Sequence, residues 1–110
     1  MTTTPTLLID SRDPFASADG GFARELALAL ARADVPVTLF YVHNAVLGTR
    51  RGAKVKPHAE LAGSGVTLLA DAFSLAERGI DAQQLAAGVA AAPLDVVIDK
   101  LLAGWHVIWH

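Results

Sequence analysis

The stretch Val35-Pro36-Val37-Thr38-Leu39-Phe40-Tyr41-Val42 decides the fold. It is β-branched and aromatic, too short for a helix, and its proline stands near the start, where a strand tolerates one. Directly before it Phe22, Leu26, Leu30 and Ala33 recur every three or four residues with Arg24, Glu25 and Arg32 between them. That spacing predicts an amphipathic helix from about 20 to 33, with Asp19 as its cap. Upstream, Thr6-Leu7-Leu8-Ile9 is a short apolar run closed by the turn formers Asp10-Ser11-Arg12-Asp13-Pro14, and it reads as a fully buried strand.

Strand, helix and strand in that order predict a crossover unit, and the rest of the chain repeats the alternation. Gly48 to Lys56 is a basic loop, with Arg50 to Lys56 expected to be mobile, and Pro57 to Ala62 a short helix with Gly63 beyond it. Val66 to Ala70 is a third buried strand, Ala72 to Arg78 a helix stopped by Gly79, and Asp81 to Ala87 another turn or two. Val89-Ala90-Ala91 is a short fourth strand. Pro93 to Leu102 is an amphipathic helix carrying Leu94, Val97, Ile98, Leu101 and Leu102. A last strand places Trp105, Val107 and Trp109 on one face and His106, Ile108 and His110 on the other. The expected class is a three-layer α/β/α sandwich around a mainly parallel sheet.

Composition narrows function by exclusion. With 110 residues the chain makes one domain, and 53% apolar content makes it a folding one. Nine basic against eleven acidic residues give a formal charge of −2, so no global field attracts nucleic acid or an anionic membrane, and neither is expected as a partner. No basic n-region opens the chain, and its most apolar uncharged window, Ala82 to Leu94, is too short to span a bilayer, so a cytoplasmic protein is expected. There is no cysteine, which removes disulfides, thiolate metal sites and any chemistry that passes sulfur through a protein thiol.

In a parallel sheet ligands collect at the carboxyl ends of the strands, which directs attention to Asp10 to Pro14, His43 to Lys56 and Asp71 to Phe73. The candidate binding residues there are Asp10, Ser11, His43, Arg50, Arg51 and Asp71. Asp19-Gly20-Gly21-Phe22 lacks dinucleotide spacing and no Walker lysine follows a glycine loop, so no cofactor is expected. Ser11 with Asp13 reads as a turn rather than a nucleophile. His106 and His110 share a strand face about 13 Å apart, too far to ligate one metal ion. Arg50, Arg51, Lys54 and Lys56 put four cations within seven positions beside Gly52, either a solvated loop or an anion site.

The order of elements resembles the DsrE/DsrF family, the small α/β proteins of sulfur relays that include the TusBCD subunits of tRNA 2-thiolation. The most specific part is Ala70-Asp71-Ala72-Phe73-Ser74-Leu75-Ala76-Glu77-Arg78-Gly79-Ile80, with its Arg-Gly-Ile corner after a short helix. The resemblance implies strand order 4-3-2-1-5 and a homo-oligomer, a trimer or hexamer, with sulfur-relay proteins as partners. In active members a persulfide-carrying cysteine lies eight residues before the glycine of that corner, and here that position is Asp71. A carboxylate holds no persulfide. The expectation is therefore a non-catalytic assembly, scaffold or binding subunit of intracellular sulfur metabolism. The alternative is a small-anion or nucleotide-binding protein with its site at the strand ends. Acid–base catalysis by Asp71 and His43 would require the two groups within hydrogen-bond reach.

Overall fold

In the computed structural model, which describes residues 4–55 and 58–110, five strands form one sheet. They are β1 (Thr6–Asp10), β2 (Val37–Tyr41), β3 (Thr67–Asp71), β4 (Val89–Ala92) and β5 (His106–Trp109). Every pairing is parallel and the order is β4-β3-β2-β1-β5, as expected. Parallel neighbours require crossovers, which are supplied by α1 (Phe22–Arg32), α2 (Ala59–Gly63), α3 (Ala72–Glu77) and α4 (Asp95–Leu102).

The register lines up one aliphatic side chain per strand: Val89 opposite Leu68, Leu68 opposite Leu39, Leu39 opposite Leu8, and Leu8 opposite Ile108. This row meets Ala23 and Ala27 of α1, Leu61 of α2 and Leu75 of α3 in the larger core. One residue further along each strand the side chains point the opposite way, so Ile9, Phe40 and Leu69 form a second core with Val96 and Val97 of α4. All five residues of β1 and of β2 are buried, which explains why those two runs lack any polar alternation. Each large apolar side chain in them contributes about 1.5–3 kcal/mol on burial.

Several local expectations are corrected by packing. α1 is capped at Gly21 without a side-chain bond, and Asp19 instead turns its carboxylate to His110. The helix buries its alanines, not its larger residues: Ala23 and Ala27 lie against the sheet, while Leu26 and Leu30 are half-buried and Phe22 is exposed. Small residues let the helix backbone approach the sheet closely. The first two residues of the expected basic loop, Gly48 and Thr49, end a 3-10 helix that spans His43–Thr49. Gly63 lies inside α2, while Lys56 and Pro57, expected in the basic loop and at the start of that helix, lie outside the described residues. The turn expected over Asp81 to Ala87 is a single 3-10 turn, Ala82–Gln84. Of the apolar residues on the last helix, Leu94, Ile98, Leu101 and Leu102 face outward, and only Val96 and Val97 pack.

The turn between β1 and α1 folds back onto the 3-10 helix after β2. A Cβ at Gly48 would stand 2.9 Å from Pro14 Cγ, and one at Gly20 would stand 2.9 Å from Pro14 Cα and 3.2 Å from the Asp13 carbonyl oxygen. The second clash is with backbone, which has less room to yield. Gly20→Ala is therefore expected to lower the unfolding free energy by about 1–3 kcal/mol, measured by denaturant titration, while Gly63→Ala, helical and with open space around it, should raise it by up to about 1 kcal/mol.

Candidate functional site

The six residues expected at the strand ends fall into three separate groups. The first is built on Asp71, the last residue of β3 and the N-cap of α3. Its Oδ2 accepts from the Ser74 amide at 3.0 Å and from the Ser74 hydroxyl at 2.7 Å. The Ser74 Oγ in turn accepts the His43 N–H at 2.8 Å. Both Asp71 and Ser74 are buried, whereas the His43 imidazole is exposed on a residue held at φ 54°. His43 thus joins this group through its backbone. No hydrogen bond links its ring to the Asp71 carboxylate among the described residues, which leaves acid–base catalysis by that pair without geometric support.

Arg78 completes the fastening. Its Nε and Nη2 donate to Asn44 Oδ1 at 3.2 and 2.9 Å, and its Nη1 donates to the Ser74 carbonyl at 3.0 Å. Gly79 follows at φ 64°, a conformation that favours glycine, and returns the chain so that Ile80 enters the core and its N–H reaches the Leu75 carbonyl. The Arg-Gly-Ile corner is a clamp between α3 and the 3-10 helix after β2.

The second group lies at the ends of β1 and β5. Asp10 is buried and its Oδ1 accepts the Arg12 N–H at 3.0 Å. Burial pushes its carboxyl above the ordinary aspartate value, against the pull of the Arg12 amide and of the positive charges of His110, Arg24 and Arg12. Ser11 is structural: its hydroxyl donates to the His110 carbonyl at 3.1 Å and accepts the Trp109 indole N–H at 3.2 Å, tying β5 to β1. The His110 ring meets Asp19 Oδ2 through Nε2 at 3.1 Å and packs on Phe22.

Behind Asp10 is an interior pair that sequence reasoning missed. The rings of Tyr41 and His58 meet edge to face with centroids 5.6 Å apart. Both residues are buried, and neither the Tyr41 hydroxyl nor His58 Nε2 has a hydrogen-bond partner among the described residues. Burial raises the tyrosine and lowers the histidine from their usual values, and the Arg24 guanidinium pulls both downward. A tyrosine at the last position of a buried strand gave one signal; nothing in the sequence paired it with His58.

Arg50 and Arg51 form the third group, on the surface. Arg51 N–H donates to the Gln84 carbonyl at 2.6 Å, Ala86 N–H to the Thr49 carbonyl at 2.7 Å, and Arg50 bridges to Leu85 in antiparallel fashion. This start of the basic loop is therefore fastened to residues 84–86. The missed neighbours Phe15, Gln83 and Gln84 line an open groove with the two arginines and Lys54. Among the described residues no three histidine or carboxylate side chains gather to hold a metal ion.

The model of the DsrE/DsrF-like family matches residues 5–110, and this chain belongs to that family. Among solved structures, the YchN protein of Escherichia coli superposes with a TM-score of 0.84 at 20% identity, covering 98% of this chain and all of that one. MTH1491 of Methanobacterium thermoautotrophicum, described as a protein of unknown function, superposes with a TM-score of 0.73 at 21% identity, over 99% of this chain and all of the other. At such identities the likeness concerns the fold. No curated protein sequence matches the chain.

Two outcomes test the site's internal chemistry. Asp71→Ala removes a cap that also orients Ser74, and should lower stability by about 1 kcal/mol, up to about 2 kcal/mol, read from the denaturant midpoint at an unchanged slope. Because His58 titrates below 6.5 when folded, the unfolded chain binds more protons in the window beneath that value. Stability should then fall as pH drops through 6.5. The difference in unfolding free energy between wild type and His58→Phe, followed from pH 7.5 down to about pH 5, should shift in the variant's favour on acidification.

Proposed function

We infer that this single domain is a cysteine-free member of the sulfur-relay family that acts as an assembly or binding subunit in intracellular sulfur metabolism, not as a persulfide carrier. The observation that carries the reading is the state of Asp71 together with the absence of any thiol. The carboxylate spends one oxygen on the Ser74 amide and hydroxyl, and the chain has no sulfur nucleophile to replace it. Ser11 and Ser74 offer no substitute, since one hydroxyl is directed at a carbonyl and the other is buried against Asp71. What persists is the scaffold.

A scaffold works through its surface, and α4 supplies one. Leu94, Ile98, Leu101 and Leu102 follow one another at helical spacing on its outer side, each more than half exposed. An apolar stripe of this kind suits a second protein surface. Trp109, 70% exposed, and Phe73, 69% exposed, add aromatic area elsewhere. The assembly this supports is a homo-oligomer, a trimer first, able to take a cysteine-bearing relative as a partner in the cytoplasm.

Sedimentation of the purified chain is expected to give a trimer at micromolar concentration, and Leu102→Glu, at an 83% exposed position, to shift it toward monomer, with a thermal midpoint that is lower and no longer rises with protein concentration. A tagged copy in its own cells should retain a cysteine-containing DsrE/DsrF-like protein, identified by mass spectrometry. A stable monomer that retains no such relative would overturn the assembly reading, and transfer of labelled sulfane sulfur onto the chain would overturn the exclusion of carrier chemistry.

A further inference from the structure

The groove beside the basic loop has the chemistry of a ligand site rather than of a solvated surface. It is open to solvent, offers about 700 Å³ and is lined by Phe15, Arg50, Arg51, Lys54, Gln83 and Gln84. That volume lies within the range of small-molecule sites. Phe15 is 51% exposed and belongs to neither core, and no cation sits over its ring among the described residues. Its backbone is nevertheless anchored, because its N–H donates to Asp13 Oδ1 at 2.8 Å and the preceding Pro14 is pressed against Gly20 and Gly48. An aromatic face held in water on a rigid turn is available for stacking.

The two arginines are positioned as well. Arg50 Nε donates to the Leu47 carbonyl at 2.9 Å, and the Arg51 guanidinium donates through Nη2 to the Gln83 carbonyl. Each guanidinium keeps further N–H groups for an oxyanion. Gln84 Oε1 is taken by the Asp81 N–H at 2.7 Å, which leaves its amide nitrogen as a donor. The backbone ladder between residues 49–51 and 84–86 holds these groups together before any ligand arrives, so less ordering has to accompany binding. Asp13, the acid next to Phe15 in the turn, accepts that residue's own N–H.

We propose that this groove binds a nucleoside mono- or diphosphate, the base stacked on Phe15 and the phosphate held by Arg50, Arg51 and Lys54. A bare oxyanion would leave Phe15 unused, and three cations on a chain of net charge −2 are too few to hold a polynucleotide. The site retains only Arg50 and Arg51 of the residues expected at the strand ends. It stands apart from the assembly reading, since it involves none of the exposed apolar residues of α4.

Calorimetry and amide shifts on the full-length chain, titrated with AMP, ADP, inorganic phosphate, adenosine and an adenylate hexamer, test it. Saturable binding of AMP or ADP is expected, with shifts at residues 15, 50–54 and 83–84, and with phosphate and adenosine each weaker. Phe15→Ala and Lys54→Gln, both at exposed positions with no side-chain hydrogen bond among the described residues, should each weaken AMP by about tenfold at an unchanged melting midpoint. The proposal falls if no nucleotide saturates, if phosphate binds as tightly as AMP, if the hexamer binds more tightly than the mononucleotide, or if Phe15→Ala leaves affinity unchanged.

Discussion

The structure depends on one row of side chains. Val89, Leu68, Leu39, Leu8 and Ile108 cross the sheet from edge to edge, one from each strand, and only the parallel register observed brings them into line. A slip of one residue in any pairing would turn that strand's apolar set to the opposite face. With this row settled, α1 has a surface for Ala23 and Ala27, and α4 has the reverse face through Val96 and Val97. The carboxyl ends of the strands are then brought to one edge, and with them the polar residues that close each strand.

Polar groups at that edge must be satisfied or carry the consequence of burial. Ser11 and Asp71 are satisfied by neighbours and act as fasteners, one for β5 and one for α3. Asp10, Tyr41 and His58 are less well served, and burial drives each away from its usual protonation behaviour. The fold thus carries both a helix start closed by its own cap, at Asp71, and a buried Tyr41–His58 pair, with Asp10 opposite Tyr41 in the strand register.

The surface divides in a comparable way. The outer side of α4 is apolar, and the groove beside residues 50–54 is cationic with one aromatic face. The two come from different parts of the chain, so a protein partner and a small ligand need not compete.

Much of this was legible in the sequence, because strands buried on both faces are written as continuous apolar runs and helices as 3.6-residue periods. Thr6 to Ile9, Val35 to Val42 and Val66 to Ala70 announced a parallel sheet, the corner at Arg78-Gly79-Ile80 pointed to the family, and the lack of cysteine excluded thiol chemistry. The Asp71 cap is local as well, an aspartate at a helix start three residues before the Ser74 amide it accepts from. Only the tertiary structure decided which polar residues meet. His43 faces Ser74 across 31 positions and Arg51 faces Gln83 across 32, distances in the chain at which no periodicity carries information. It also decided that α1 packs by its alanines and that α4 turns its leucines outward, because which face of a helix is buried depends on the shape of the surface opposite, and that surface is made by strands far away in the chain.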